Sequence, residues 1–240
     1  VFVRSGSSWT QQAKVSAGDG ATADQFGYSV SLSGDGQTAL VGANLDDVGA
    51  NANQGSAYVF LRSGSSWTQQ AKLVAGDGAA SDQFGVAVSL SGAGLVALVG
   101  AERDDSSRGS AYVFVRSGNI WTQQAKLGAG DGAAADQFGA GVSLSGDGQT
   151  ALVGAYLDDV GALVNQGSAY VFVRSGSSWT QQAKLVASDG AAGDYFGRSV
   201  SLSGDGQRAL VGAERDDSLR GSAYAFLRGG SSWTQEAKLA

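Results

Sequence analysis

Adjacent pairs of aspartates are the residues of this 240-residue sequence whose type and spacing could do chemistry. Two carboxylates at a defined separation can hydrolyse a glycosidic bond, and clustered carboxylates attract cations. The pairs occur four times and are Asp46/Asp47, Asp104/Asp105, Asp158/Asp159 and Asp216/Asp217. Because the pairs are repeated and lack a unique partner, the pattern speaks against catalysis. The sequence therefore predicts no catalytic residues and makes these eight aspartates candidate ligand-binding residues.

Composition removes several classes of function. The chain has no Cys, His, Met or Pro, which excludes disulfides, thiol and imidazole catalysis and Cys/His zinc sites. Its net charge of −6 argues against nucleic-acid binding, which needs clustered Lys and Arg. The apolar run at 95–101 is far shorter than the ~20 residues that span a bilayer. We expect no cofactor, no nucleic-acid partner and no membrane insertion.

The elements that must position the aspartates come from an internal repeat. A motif SWTQQAK, or a near copy, recurs at Trp9, Trp67, Trp121, Trp179 and Trp233, with spacings that alternate between 58 and 54 residues. Self-similarity at such a period is typical of solenoids and propellers. The first and third repeats share LDDVGA and the second and fourth share AERDDS, so the unit of duplication is a pair of repeats.

Each repeat contains four short strand patterns. In the first repeat they lie at 26–33, 38–43, 56–62 and 67–73, where apolar residues alternate with polar ones or form a short continuous run. Phe26 and its equivalents should begin innermost strands, and Trp67 and its equivalents should begin outermost strands. Helical pattern is nearly absent, and only 132–136 could form a single turn.

These patterns predict an all-β fold, a β-propeller of four-stranded antiparallel blades with four complete blades and an N-terminal half blade. The predicted boundaries are listed in chain order: 1–25 for the half blade and its link, then 26–83, 84–137, 138–195 and 196–240 for the blades. The half blade leaves a ring unclosed. We therefore expect either a longer array or a half blade that docks on the ring's own end or on a neighbouring molecule, as in a homo-oligomer.

Three short motifs recur once in each repeat. An FG dipeptide stands at 26/27, 84/85, 138/139 and 196/197, GA stands at 42/43, 100/101, 154/155 and 212/213, and a YVF element or its variant YAF begins at Tyr58, Tyr112, Tyr170 and Tyr224. With these motifs the chain resembles the FG-GAP repeats of integrin α-subunit propellers and their bacterial relatives. The proline of GAP is replaced by Asn44, Glu102, Tyr156 and Glu214. Relatives that bind calcium place several acids between the first two strands, whereas this chain has only SGDGQ or SGAGL there. We predict no integrin-type calcium site at Asp35, Asp147 or Asp205.

Most acidic residues should gather on one face of the ring. Eighteen of the 22 acids lie in the loops between blades or between second and third strands, and the resemblance implies that ligands bind there. These acids are the pairs named above with Asp19, Asp24, Asp77, Asp82, Asp131, Asp136, Asp189, Asp194, Glu102 and Glu214. They have two interpretations, an acidic docking surface or solubility and turn formation.

The tryptophans have two interpretations as well. They could stack on sugars or cover the outer edges of blades, and the second is favoured because each begins the same strand. The neighbouring glutamines are interpreted as solvated. The sequence thus predicts a non-enzymatic, extracellular or surface-exposed binding and adhesion module with a protein or glycan ligand. The alternatives are a lectin with pockets at blades or blade junctions, and a structural or engineered repeat without a ligand.

Overall fold

Strands form almost all of the regular structure in the computed structural model, which describes residues 1–240. They make one two-stranded and four four-stranded antiparallel sheets. The two-stranded sheet, here called the half blade, consists of β1 (Phe2–Ser5) and β2 (Ser8–Gln11).

The four-stranded sheets follow in chain order and are numbered as blades. Blade one consists of β3 (Ser29–Leu32), β4 (Thr38–Ala43), β5 (Ser56–Ser63) and β6 (Ser66–Leu73). Blade two consists of β7 (Ala87–Leu90), β8 (Val96–Ala101), β9 (Ser110–Ser117) and β10 (Ile120–Leu127). Blade three consists of β11 (Phe138–Leu144), β12 (Thr150–Ala155), β13 (Ser168–Ser175) and β14 (Ser178–Leu185). Blade four consists of β15 (Phe196–Leu202), β16 (Arg208–Ala213), β17 (Ser222–Gly229) and β18 (Ser232–Leu239).

The predicted fold class is confirmed. Each blade pairs its strands in sequence order, and the first strands β3, β7, β11 and β15 contact one another in series around the axis. Phe138 and Phe196 begin their innermost strands, whereas β3 and β7 begin three residues after Phe26 and Phe84. Trp67 lies at the start of the outermost strand β6, as predicted. The outer strands have only sparse contacts between blades.

The hydrophobic core lies between blades. The second strands are buried along their length in blades one to three, as expected of the TALVGA run. Leu40 and Val59 of blade one pack in the same cluster as Phe84 and Phe114 of blade two, and Phe84 contacts the rings of Tyr112 and Phe114 edge to face. This arrangement recurs at the next two junctions, so the FG phenylalanine joins neighbouring blades.

The FG and GA glycines meet where two blades approach most closely. A Cβ on Gly100 would collide with the carbonyl oxygen of Gly139, which belongs to the FG dipeptide of the next blade. Gly139 itself has a φ of +95°, a region that favours glycine. Both dipeptides are therefore explained by packing between blades.

The turns between first and second strands form a hydrogen-bonded chain around the axis. The amide nitrogen of Gly34 donates to Gly92 at 2.8 Å, Gly92 donates to Gly146, and Gly146 donates to Gly204. Asp35 caps its own turn by accepting hydrogen bonds from the Ser33 hydroxyl and the Gln37 amide, and Asp147 and Asp205 repeat this pattern. These aspartates act as turn caps, and the prediction that they bind no calcium stays a prediction.

The expected position of the helical turn is wrong. Residues 132–136 form hydrogen-bonded turns, and the helical turns are instead α1 (Asp104–Ser107) and α2 (Asp216–Leu219). Within α1, Asp105 and Ser106 have φ values of 54° and 62°, so the turn is left-handed. Neither helical turn has the length or apolar character needed to cross a membrane, and the chain has no other helix.

The ring is open at its N-terminal end. Blade one packs its Ala39, Val41 and Phe60 side chains against Val15 and Ala17 of the first link. A cleft of about 720 Å³ remains between the half blade and blade one, lined mainly by apolar residues. The half blade thus covers only part of the face that a complete blade would cover.

Candidate functional site

The acidic loops form a cleft beside each of three blades. One wall is the link that leads into the blade, and the other is the loop between its second and third strands, here called the second loop. The clefts have volumes of about 690, 210 and 510 Å³ in blades two, three and four. Asp77 and Asp105 lie on opposite walls of the blade-two cleft, which Lys126 also lines. The sequence-predicted pairs are therefore brought together with the link aspartates.

The first aspartate of each pair is buried and bonded. Asp158 is only 4% exposed, and its Oδ2 lies 2.7 Å from Lys184 Nζ and 2.6 Å from the Ser168 hydroxyl that donates to it. The same Lys184 nitrogen lies 2.7 Å from Asp131, which also accepts a hydrogen bond from the Tyr170 hydroxyl. This lysine cluster recurs in every blade with equivalent residues: Lys72, Asp19, Asp46 and Tyr58; Lys126, Asp77, Asp104 and Tyr112; Lys238, Asp189, Asp216 and Tyr224.

The lysine cluster shifts the pKa values of several of its members. Although burial acts in the opposite direction, the hydrogen bond from Lys184 lowers the pKa of Asp131. Burial likewise opposes the bonds from Lys238, Ser222 and Tyr224, which together lower the pKa of Asp216 to about 2. Burial raises the pKa of Tyr58 to about 12. Asp131 and Asp216 are therefore ionised and Tyr58 is neutral at physiological pH.

The second aspartate of each pair is exposed. In blades one and three its Oδ1 accepts a hydrogen bond from the backbone of an asparagine six residues later, at 2.8 Å for Asp47 with Asn53 and 2.7 Å for Asp159 with Asn165. In blade two, Asp105 is 62% exposed and lies 3.4 Å from Arg108. Asp217 of blade four lies 3.3 Å from Lys238. One carboxylate oxygen of Asp47 and of Asp159 remains available to a ligand.

A third set of aspartates forms turns within the links between blades. Asp136 is buried, and its Oδ2 accepts a hydrogen bond from the amide of Ala133. Burial raises the pKa of Asp136, and the nearby charges of Asp158 and Asp159 raise it further. Equivalent bonds are made by Asp24, Asp82 and Asp194. The turn-forming interpretation therefore describes these four residues.

The clefts alternate in charge along the chain. In blade three, Asp131, Asp136, Asp158 and Asp159 are accompanied by Lys184 as the only basic neighbour, because Leu157 occupies the position immediately before the aspartate pair. The equivalent position is arginine in blades two and four, and Leu45 in blade one. Odd-numbered blades are therefore the more acidic ones at the loop face.

The tryptophans and glutamines bind neighbouring blades to each other. The indole nitrogen of Trp179 donates to Gln124 of the preceding blade at 3.2 Å, and Trp121 donates to Gln70 at 3.0 Å. Gln123 accepts from the amide of Gly76 at 2.8 Å. The interpretation of the glutamines as solvated residues is wrong, because they are the acceptors in bonds between blades. The structural interpretation of the tryptophans agrees with these contacts.

Sequence reasoning missed the lysines as members of the site. A lysine stands five residues after every tryptophan and is the only cationic residue of the outer strand. Its constant place beside repeated Asp and Tyr is a signal that could have identified the cluster. No group of three or more His, Cys, Asp or Glu residues in the described chain is arranged to hold a metal ion.

Four-stranded blades arranged around one axis define the protein as a β-propeller. Its repeats match the model of the FG-GAP repeat at residues 9–60, 67–114, 121–172 and 179–226. The chain belongs to the FG-GAP repeat family. The family model begins each repeat at the outer-strand tryptophan, a different phase from the boundaries drawn at each FG, and those boundaries stay a prediction.

Comparisons with solved structures support the fold. The chain is similar to hydrazine synthase from Kuenenia stuttgartiensis, with 14% identity, a TM-score of 0.57 and coverage of 94% of this chain and 52% of that one. It is also similar to the periplasmic gluconolactonase PpgL from Pseudomonas aeruginosa, with 16% identity, a TM-score of 0.59 and coverage of 88% and 56%. The chain thus spans about half the length of these propellers. No curated protein matches it.

Proposed function

We propose that the protein is a non-enzymatic binding module whose loop face accepts cationic groups of a protein partner. The observation that carries this proposal is the blade-three cleft, where four aspartates converge on a space of about 210 Å³ with one lysine among them. Such a volume suits the end of one side chain. The equivalent residues of blade one, Asp19, Asp24, Asp46 and Asp47 with Lys72, repeat this composition.

Electrostatics favours this ligand chemistry. The ammonium group of Lys184 balances the negative charge of Asp158 and part of that of Asp131. The charge of Asp159 is left unbalanced, and one of its carboxylate oxygens remains free. Concentrated like charge at a concave surface focuses the local field and attracts ligands of opposite sign. An ammonium or guanidinium group donates hydrogen bonds that carboxylate oxygens accept. Such a group does not need the several oxygen ligands that calcium requires.

A lectin is the second candidate function. The clefts of blades two and four measure about 690 and 510 Å³, within the range of small-molecule sites, and serine, aspartate and arginine line them. No aromatic ring lines either cleft. Since sugar sites commonly use an aromatic face, the protein-partner proposal stands first.

The proposed absence of catalysis rests on repetition of the same acids at every blade. Two of the structural neighbours are enzymes by name, but identities of 14% and 16% extend the likeness to the fold alone. An extracellular or cell-surface location is part of the proposal and rests on the likeness to integrin-type repeats. A structural repeat without a ligand is the outcome in which no probe binds.

The proposal is tested by titrating a lysine- and arginine-rich peptide into the protein by calorimetry at low and high salt. The variant Asp47→Asn with Asp159→Asn removes two charges but keeps the oxygen that accepts the loop amide. It should bind the peptide about tenfold more weakly and with a smaller salt dependence.

The matched control is Asp35→Asn with Asp147→Asn, which removes the same charge from the axial turns on the opposite face. It should bind like the unaltered protein. Equal weakening in both variants would attribute binding to net charge rather than to the clefts. A sugar retained on a glycan array, with no peptide binding, would favour the lectin.

A further inference from the structure

The second loops of blades one and three are near copies that differ in two adjacent side chains. The first reads DDVGANANQG and the other DDVGALVNQG. Leu163 stands where blade one has Asn51, and the next residue, Val164, stands where blade one has alanine. The backbone is the same in both loops, because Asn51 and Leu163 each form an antiparallel bridge with the valine three residues earlier. The two loops thus present different side chains on one framework.

Leucine at position 163 leaves a buried hydrogen-bond acceptor without a partner. In blade one, Asn51 Nδ2 donates to Gln54 Oε1 at 2.9 Å and to the carbonyl oxygen of Gly78 at 3.0 Å. In blade three, the Oε1 atom of the equivalent Gln166 accepts no hydrogen bond, although Gln166 is only 2% exposed. A buried acceptor that has lost its donor is unfavourable for folding. Leu163 therefore costs the single chain stability.

The two apolar side chains of the blade-three loop gain little burial in return. Leu163 is 37% exposed and Val164 is 56% exposed. Val164 lines the acidic cleft of blade three together with Leu157 and Asp159. A single exposed apolar residue is ordinary, but this adjacent pair replaces a bonded asparagine and borders a charged cleft. Its side chains are available to a ligand that enters the cleft.

We propose that the blade-three cleft binds a segment of a partner protein in which a large apolar residue lies close to a basic one. The inference rests on the proposed function, because the basic group of that segment lies against Asp131 and Asp159. The apolar side chain of the segment covers Leu163 and Val164. Blade one has asparagine and alanine in these places, so it accepts the basic group without the apolar preference.

The size of the cleft determines the spacing of the two residues in the partner segment. A volume of about 210 Å³ holds the end of one side chain, so the apolar side chain lies outside the cleft, on the exposed loop. In an extended segment, residues two positions apart point to the same side. A basic residue in the cleft therefore places the residue two positions away on Leu163 and Val164. Removal of their apolar surface from water then favours binding.

Two synthetic peptides of equal charge provide the probe. Each contains one arginine, and the residues two positions away on both sides are leucine in the first peptide and alanine in the second. Because the charge is the same, long-range attraction to the acidic face is the same for both. An NMR titration at low salt reports binding at each blade separately. Blade three of the unaltered protein should bind the leucine peptide about tenfold more tightly than the alanine peptide, and blade one should bind both equally.

The chain supplies its own matched variants, because each loop can be given the sequence of the other. Leu163→Asn with Val164→Ala copies the blade-one loop, which already folds on the same framework. This variant should bind both peptides with the affinity of the unaltered protein for the alanine peptide. Its melting temperature should not fall, since the new asparagine can donate to Gln166. Asn51→Leu with Ala52→Val makes the reverse exchange and should create the leucine preference at blade one.

The outcomes separate this inference from the proposed function. Equal affinity of the unaltered protein for both peptides, or a leucine preference that survives the blade-three exchange, would overturn the apolar contact and leave the binding of cationic groups intact. A reverse exchange that creates no preference at blade one would also overturn the contact. So would a blade-three exchange that weakens binding of the alanine peptide, because loop geometry would then control affinity. Binding of neither peptide would overturn the proposed function and this inference together.

Discussion

Replacing Lys184 by methionine tests the role assigned to the lysine cluster. The change keeps the length and much of the apolar stem of the side chain but removes the ammonium group that lies 2.7 Å from both Asp131 and Asp158. Asp131 is half exposed, so losing its ion pair with Lys184 should change the free energy of unfolding little, since water screens such pairs. Asp158 is buried, and removing one partner of a buried ion pair costs about 3–5 kcal/mol.

The partial exposure of Lys184 places the expected loss at the lower end, about 3 kcal/mol. A chain of this size loses about 2–4 °C of melting temperature per kcal/mol, so calorimetry should show a decrease of about 6–12 °C. Adding Asp158→Asn should restore part of it, because a neutral amide needs no counter-ion.

Lys14 gives the matched control for that variant. It occupies the same position in the half blade, where it is exposed and makes no ion pair. Lys14→Met should change the free energy of unfolding by less than about 0.5 kcal/mol. The reasoning is refuted if the two substitutions have equal effects, since equal effects would mean that the carboxylates of the cluster need no cation.

Three further predictions concern packing, bonds between blades and pH. Gly100→Ala should destabilise the protein by about 1–3 kcal/mol because its Cβ meets the backbone carbonyl oxygen of Gly139, whereas Gly212→Ala, whose Cβ meets only the movable hydroxyl of Ser199, should cost less in the same denaturant titration. Trp179→Phe should cost about 0.5–1.5 kcal/mol through loss of the bond to Gln124, while Trp9→Phe should leave the melting temperature of the monomer unchanged. Carboxylates with a lowered folded pKa stabilise the protein above the unfolded pKa of about 4 and lose that contribution as pH falls through the folded value, about 2 for Asp216. Melting temperature should therefore drop between pH 4 and pH 2, and Asp216→Asn should flatten that decrease.

The period-two patterns predicted strands and blade order because each strand has one face towards a neighbouring blade. Residues such as Val41 and Val59 are buried by contacts that recur at every junction, so the local pattern of apolar residues identifies them as buried. The helical turn was misplaced because 132–136 has helix-forming alanines, while the turn at 104–107 depends on three residues with positive φ that sequence propensity disfavours.

The burial of the first aspartate and the exposure of the second aspartate in each pair could not be predicted. Asp158 and Asp159 have the same side chain and adjacent positions, and their difference arises from a lysine 26 residues further along the chain. The partners of the glutamines were equally hidden, because the indole that reaches Gln124 belongs to the next blade. Local pattern indicates which residues are repeated, but the contacts across a junction decide which of them face solvent.

Hydrogen exchange in the presence of the basic peptide tests the central claim most directly, because it maps where a ligand lies on an otherwise unaltered protein. The peptide should slow exchange in the second loops of blades one and three, at 44–55 and 156–167, and leave exchange in the axial turns at 33–38 and 145–150 unchanged. Slower exchange at the axial turns, or equal protection in all four second loops, would contradict the claim that the more acidic loops of the odd-numbered blades bind cationic groups.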